Sequence, residues 1–208
     1  MKKLFLASSF NDVVTLFSSF EKNVHGKTVT FIPTASNVEK VVFYVETAKK
    51  ALEKLGLIID ELDISTADSE TIRQKLARNE YIYVSGGNSF FLLQELKRTG
   101  ADKCILKEVA AGKLYIGESA GAVITSANIE YIKDMDNMQK AATLTSYDAL
   151  NLVDFYTVPH YGSAPFKNAA QKILADYASS LPLLPISNKE AILIRDNEIT
   201  TKNVNTNK

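Results

Sequence analysis

The sequence predicts an α/β fold, a mostly parallel sheet with helices on both faces. Three observations carry that expectation. Apolar runs of strand length alternate with longer amphipathic stretches, the pattern of strand–helix–strand units. Two glycine-rich turns each follow an apolar run and open a helix. No proline falls between Pro33 and Pro159 and no linker-like stretch divides the 208 residues, so residues 1–199 read as a single domain. The polar tail, residues 200–208, has few apolar groups to bury and is expected to fray.

The elements follow in chain order. Residues 4–7 read as a buried strand. Their surroundings, MKKLFLASSF, imitate a signal peptide, but the apolar run is short and Asn11-Asp12 interrupts it. Residues 13–21 read as a helix. Residues 28–32 (TVTFI) are rich in β-branched side chains and stop at Pro33, which cannot donate to a strand ladder. Over 38–55, apolar residues recur at helical spacing (Val41, Val42, Val45, Ala48, Leu52, Leu55), with Gly56 as the stop. A strand over 57–61, a helix over 69–76 and a strand over 81–84 (YIYV) come next. A helix over 88–98 closes near Gly100, and another ends over 107–111 at Gly112. Residues 114–116 are a short strand and 119–125 start a helix. Residues 155–159 and 191–194 are late apolar, strand-like runs.

Composition narrows the function. Lys plus Arg and Asp plus Glu number 24 each, a balance without the basic excess of a nucleic-acid footprint. At 46% hydrophobic and 23% charged the chain reads as globular. One cysteine, Cys104, excludes an internal disulfide framework and reads as a bystander thiol in a helix. No segment approaches the ~20 apolar residues that span a bilayer. A cytoplasmic protein without nucleic-acid or membrane partners is expected. His25-Gly26-Lys27-Thr28 resembles the end of a phosphate loop, but the glycine required five positions earlier is Glu21. No G-x-G-x-x-G, H-E-x-x-H or paired Cys/His spacing occurs, so neither a cofactor nor a metal is expected.

Gly117-Glu118-Ser119-Ala120-Gly121 matches G-x-S-x-G between a strand and a helix of small residues. Such a turn exposes the serine hydroxyl, and the next N–H can face a developing oxyanion. The same pattern also suits a tight turn with a serine N-cap. A serine nucleophile needs a base. Of the two histidines, His25 sits in a polar turn before a strand, at the wrong edge of the sheet. If a histidine is the base, elimination makes it His160, which follows the 155–159 run; otherwise it is a packed structural residue. The third member should be a carboxylate that holds the imidazole tautomer. Asp134 and Glu190 are candidates, and either can instead be a solvated charge.

Three segments together resemble the peptidase E (aspartyl dipeptidase) family of serine peptidases, to which cyanophycinases are more distantly related. They are Val84-Ser85-Gly86-Gly87-Asn88-Ser89-Phe90, Tyr115-Ile116-Gly117-Glu118-Ser119-Ala120-Gly121-Ala122 and Val158-Pro159-His160-Tyr161. Phe31-Ile32-Pro33 and Asp148-Ala149-Leu150-Asn151-Leu152 also look like family segments, and the resemblance runs from about Lys3 to Ile199. It implies a flavodoxin-like or class I glutamine amidotransferase-like fold with serine in place of that superfamily's cysteine. It implies Ser119 as nucleophile, His160 as base, and the Gly87 and Ala120 N–H groups as oxyanion donors. It puts the acid at Glu190 or Asp134, and Glu190 is preferred because a carboxylate at a strand start is rigidly placed. Aspartyl dipeptidases carry an arginine after the histidine for the substrate's aspartate, and Ala169 stands at that position here. Lys167 nearby would not reproduce bidentate recognition, so Asp-X specificity does not follow. The expected activity is hydrolysis of short peptides by a monomer or homodimer. The alternatives are a non-catalytic binding module and a small-amide or ester hydrolase.

Overall fold

A computed structural model describes residues 2–204. Seven strands form the main sheet: β1 (Lys3–Ala7), β2 (Thr28–Ile32), β3 (Ile58–Glu61), β4 (Tyr81–Val84), β5 (Leu114–Glu118), β8 (Glu190–Arg195) and β9 (Glu198–Asn203). Their order is β3-β2-β4-β5-β1-β8-β9. The first five are parallel, and β8 and β9 add an antiparallel edge. β6 (Tyr156–Val158) and β7 (Leu183–Pro185) pair as a separate parallel ribbon.

Strands buried on both faces need apolar residues at successive positions, because alternate side chains point to opposite sides. Leu4, Leu6, Ile82, Val84 and Tyr115 face one core. There they meet Ile72 and Leu76 of α3 (Ser69–Arg78), Leu92 and Leu96 of α4 (Ser89–Thr99), and Ile105 and Val109 of α5 (Ala101–Ala110). Ala120 and Val123 of α6 (Ala120–Val123) and Ile173 of α7 (Lys167–Tyr177) join the same core. Phe5, Ala7, Val29, Phe31, Tyr81 and Tyr83 face the other core. It is closed by Leu16, Phe17 and Phe20 of α1 (Val14–Phe20) and by Val45, Ala48 and Leu52 of α2 (Phe43–Lys54). The fold is the expected α/β sheet with helices on both faces. The apolar run at the N-terminus is the interior strand β1, between β5 and β8.

Two expectations change. Residues 200–203 do not fray. They lie in β9, where a two-residue turn, Asp196-Asn197, sets Arg195 opposite Glu198. Asp196 takes φ 53°, a left-handed conformation that Asp tolerates, and β-branched Thr200 and Thr201 suit the edge strand. Residues 205–208 of the expected tail lie outside the described residues. The helix expected from residue 38 starts at Phe43, since a 3-10 turn over Thr34–Ser36 follows Pro33. Val41, Val42 and Phe43 consequently stand exposed. The 155–159 run supplies the ribbon strand β6, outside the main sheet. Among the described residues no helix is long and apolar enough to cross a membrane.

Candidate active site

The carboxyl ends of β4 and β5 lie side by side, Val84 opposite Gly117. β5 runs into Ser119, whose N–H donates to the Ala7 carbonyl at 2.8 Å, so the turn is pinned to β1. Ser119 adopts φ 48° and ψ −107°, a conformation that non-glycine residues rarely take. Both flanking glycines are required by close packing. A Cβ on Gly117 would lie 2.5 Å from the Gly121 carbonyl oxygen, and one on Gly121 would lie 2.1 Å from that of Val84. The hydroxyl does not cap α6. Instead Ser119 Oγ lies 2.9 Å from His160 Nε2.

His160 emerges after β6 with φ 60°. Its N–H donates to the hydroxyl of buried Ser8, just past β1, and that hydroxyl donates to the Ile186 carbonyl, each at 3.0 Å. Tyr161 N–H reaches the same carbonyl at 3.0 Å. Phe166 stacks on the imidazole, centroids 4.8 Å apart at 26°. Burial lowers the His160 pKa below the ordinary histidine value, and the Asn188 hydrogen bond only partly offsets it. The ring is therefore neutral at neutral pH. His25 is exposed in the turn before the amino end of β2, away from Ser119.

The two proposed carboxylates do not meet the imidazole. His160 Nδ1 lies 2.8 Å from Asn188 Oδ1. The pairing is complete when Nδ1–H donates to the amide oxygen and Nε2 accepts from Ser119. Glu190, two residues on, turns back so that its Oε2 accepts from Ser187 N–H at 2.8 Å. Burial pushes its pKa up, but hydrogen bonds from Ser187 and Asn203 outweigh that and hold it below the usual value. Asp134 pairs with Lys172 Nζ of α7 at 3.2 Å. Both carboxylates already have other partners, and the position beside Nδ1 is taken by a neutral amide.

The second glycine turn packs against the first, since a Cβ on Gly86 would come within 3.2 Å of Ser119 Cβ. Gly87, at φ 135°, lies so close to Ala35 that a Cβ would sit 2.2 Å from its carbonyl oxygen. The N–H groups of Gly87 and Ala120 make no intramolecular hydrogen bond among the described residues. Glu118, buried at the end of β5, accepts from Phe10 N–H and Tyr83 Oη–H, each at 2.9 Å. Burial raises its pKa to about 7. Among the described residues no three His, Cys, Asp or Glu side chains gather as a metal site.

The model of peptidase family S51 matches residues 4–202. The chain belongs to peptidase family S51. A peptidase of Listeria innocua, Lin0382, is 68% identical over 99% of this chain and 98% of its own length. Peptidase E of Shewanella amazonensis is 32% identical over 78% of this chain and 67% of its own. A crystal structure of a Listeria monocytogenes EGD-e protein assigned to peptidase E matches with a TM-score of 0.95 and 65% identity, covering 98% of this chain and 99% of that one. A peptidase from an acI-B1 Actinobacterium shares the fold at a TM-score of 0.73 and 21% identity.

Within this S51 peptidase, sequence reasoning missed three residues around the Ser119–His160 pair, Asn188, Ser8 and Phe166, and the buried Glu118 next to Ser119 in the chain. Asn188 carried a readable signal, because Cys-His-Asn triads use an amide where Ser-His-Asp triads use a carboxylate. Ser8 and Phe166 had none, since each meets His160 only through tertiary structure. Ala169, where the arginine of aspartyl dipeptidases was expected, lies half-buried in the first turn of α7.

Proposed function

We propose that this S51 peptidase hydrolyses short peptides by acyl transfer through Ser119, His160 and Asn188. The observation that carries the reading is the 2.9 Å approach of Ser119 Oγ to His160 Nε2 at the turn between β5 and α6. Ser119 Oγ attacks the scissile carbonyl carbon as its proton passes to Nε2. The carbonyl oxygen becomes an oxyanion facing the unused N–H groups of Gly87 and Ala120, where preorganised donors act most strongly. The imidazolium then returns its proton to the leaving amine, the C–N bond breaks, and an acyl ester remains on Ser119. Water, deprotonated by the same nitrogen, attacks the ester; the bond between the acyl carbon and Ser119 Oγ breaks, the imidazolium returns its proton to Oγ, and the acid leaves.

Asn188 keeps the tautomer with its Oδ1 as acceptor. An amide stabilises the imidazolium through a dipole rather than a full charge, which agrees with the low His160 pKa. Glu190 and Asp134, engaged elsewhere, have no step in this scheme. With Ala169 in α7 no guanidinium is supplied there for a substrate carboxylate, so an Asp-X preference is not part of the proposal.

The test is turnover by the parent and by Ser119→Ala of dipeptides, p-nitroanilides and p-nitrophenyl esters. Dipeptide hydrolysis that disappears with Ser119 supports the reading. Hydrolysis confined to esters or simple amides would move the function to a small-substrate hydrolase. No turnover with retained ligand binding would make it a binding module.

A further inference from the structure

Tyr44, in the first turn of α2, is held against the two glycine turns. A Cβ on Gly86 would lie 3.2 Å from Ser119 Cβ and 3.7 Å from Tyr44 Cε2, so the tyrosine ring and the nucleophile flank the same glycine. The ring also meets Phe43 edge-on, centroids 6.1 Å apart. The Tyr44 hydroxyl oxygen is shielded from solvent and has no hydrogen-bond partner among the described residues. Buried tyrosine hydroxyls ordinarily find a partner, and leaving one unmet costs stability. The fold therefore bears a cost at the Tyr44 hydroxyl that no hydrogen bond among the described residues offsets.

The titratable side chains that act most on this hydroxyl are carboxyl groups, each already engaged by a partner. Burial first, then Glu39, Glu118 and Asp136, hold the phenol well above its ordinary pKa, so it remains protonated. Glu39 is paired with Lys140 at 2.7 Å, Asp136 accepts from Ser89 N–H at 2.8 Å, and Glu118 is bound to Phe10 and Tyr83. An N–H donor reaching the ring would find an oxygen lone pair that no group among the described residues occupies.

We propose that Tyr44 is a substrate-binding residue whose hydroxyl accepts a hydrogen bond from a neutral or cationic N–H group of the bound peptide, beside the scissile bond. This rests on the peptidase reading above and adds a contact to it. Tyr44→Phe keeps the ring and removes only the oxygen, which separates a structural from a functional role. A hydroxyl that serves the fold stabilises it, whereas one that waits for substrate destabilises the free enzyme.

The experiment uses the full chain and its best substrate among Ala-Leu, Asn-Leu and Asp-Leu. In Tyr44→Phe, kcat/KM should fall at least about tenfold, the equivalent of about 1.4 kcal/mol. The Tm should be unchanged or higher. Inactivation by a small fluorophosphonate, which offers no such N–H group, should stay within roughly threefold, since Ser119 and His160 are untouched. Unchanged kcat/KM overturns the proposal. So does a lowered Tm, which would show a structural hydroxyl. Labelling slowed in step with turnover also overturns it, because the hydroxyl would then act on Ser119 rather than on substrate. Absence of peptide turnover by the parent removes the peptidase reading and this inference together, whereas parent turnover matched by Tyr44→Phe removes the inference alone.

Discussion

Replacing Asn188 with aspartate puts a charge where the structure holds a dipole. Asn188 Oδ1 lies 2.8 Å from His160 Nδ1, and aspartate is nearly isosteric with asparagine. A neutral hydrogen bond contributes about 1 kcal/mol net, and one to a charged group about 1.5–3 kcal/mol. The difference, about 0.5–2 kcal/mol, is about 0.4–1.5 pH units at 1.36 kcal/mol per unit. Coulomb attraction at ~4 Å and an effective dielectric of ~20 bounds the effect near 4 kcal/mol, or about 3 units, before the cost of desolvating the aspartate. An upward shift of about 0.4–1.5 units, with about 3 as the ceiling, follows for His160. Protonated His160 cannot act as base, so the acid limb of kcat/KM moves up by the same amount. Asn188→Asp should then lose activity relative to the parent across the parent's acid limb and match it on the alkaline plateau. The assay is a kcat/KM profile alongside a proton NMR titration. With only two histidines, a His25→Ala sample assigns the His160 resonance. An unmoved or downward-shifted limb would refute a role for residue 188 in holding the base.

Other outcomes follow from the same geometry. Glu190→Gln and Asp134→Asn should each leave kcat within roughly threefold, because neither carboxylate touches the imidazole; a loss of several powers of ten in either would restore that residue as the acid. Glu118 should make stability fall as pH rises from 4.5, its ordinary value, to about 7, since across that window the folded chain keeps a proton that the unfolded chain has released. The fall amounts to about 3 kcal/mol, at 1.36 kcal/mol per unit. Urea denaturation of the parent and of Glu118→Gln across pH 4–8 should diverge accordingly, and parallel curves would contradict the burial argument. Asp-Leu should be preferred over Ala-Leu by less than about a hundredfold, some 2.7 kcal/mol, given Ala169 in α7. A larger preference would mean that another cation reads the aspartate.

Local pattern made the sheet legible, because β1, β2, β4 and β5 are runs of apolar residues and each glycine turn marks a strand end. β9 was not legible, since Thr200, Thr201 and Lys202 bury little and owe their strand to the Asp196-Asn197 turn and to pairing with β8. The same contrast holds at the site. Ser119 and His160 stand at readable strand ends, whereas the partner of Nδ1 depends on which way two side chains turn in the loop before β8. Asn188 faces the ring, while Glu190 bends back to Ser187. A search restricted to carboxylates passed over the amide. The start of α2 was misjudged because Val41 and Val42 fit helical spacing yet are exposed. Periodicity records spacing without reporting what lies opposite.

In the proposed mechanism Ser119 is the nucleophile and His160 its base. The most direct measurement is mass-spectrometric mapping of a fluorophosphonate adduct on the intact protein, in parent, Ser119→Ala and His160→Ala, each checked for folding by circular dichroism. A single adduct on Ser119 of the parent, absent from Ser119→Ala and slowed on the order of 10³-fold or more in His160→Ala, is the predicted result. An adduct on another serine, or labelling of Ser119 at an undiminished rate without His160, would contradict it.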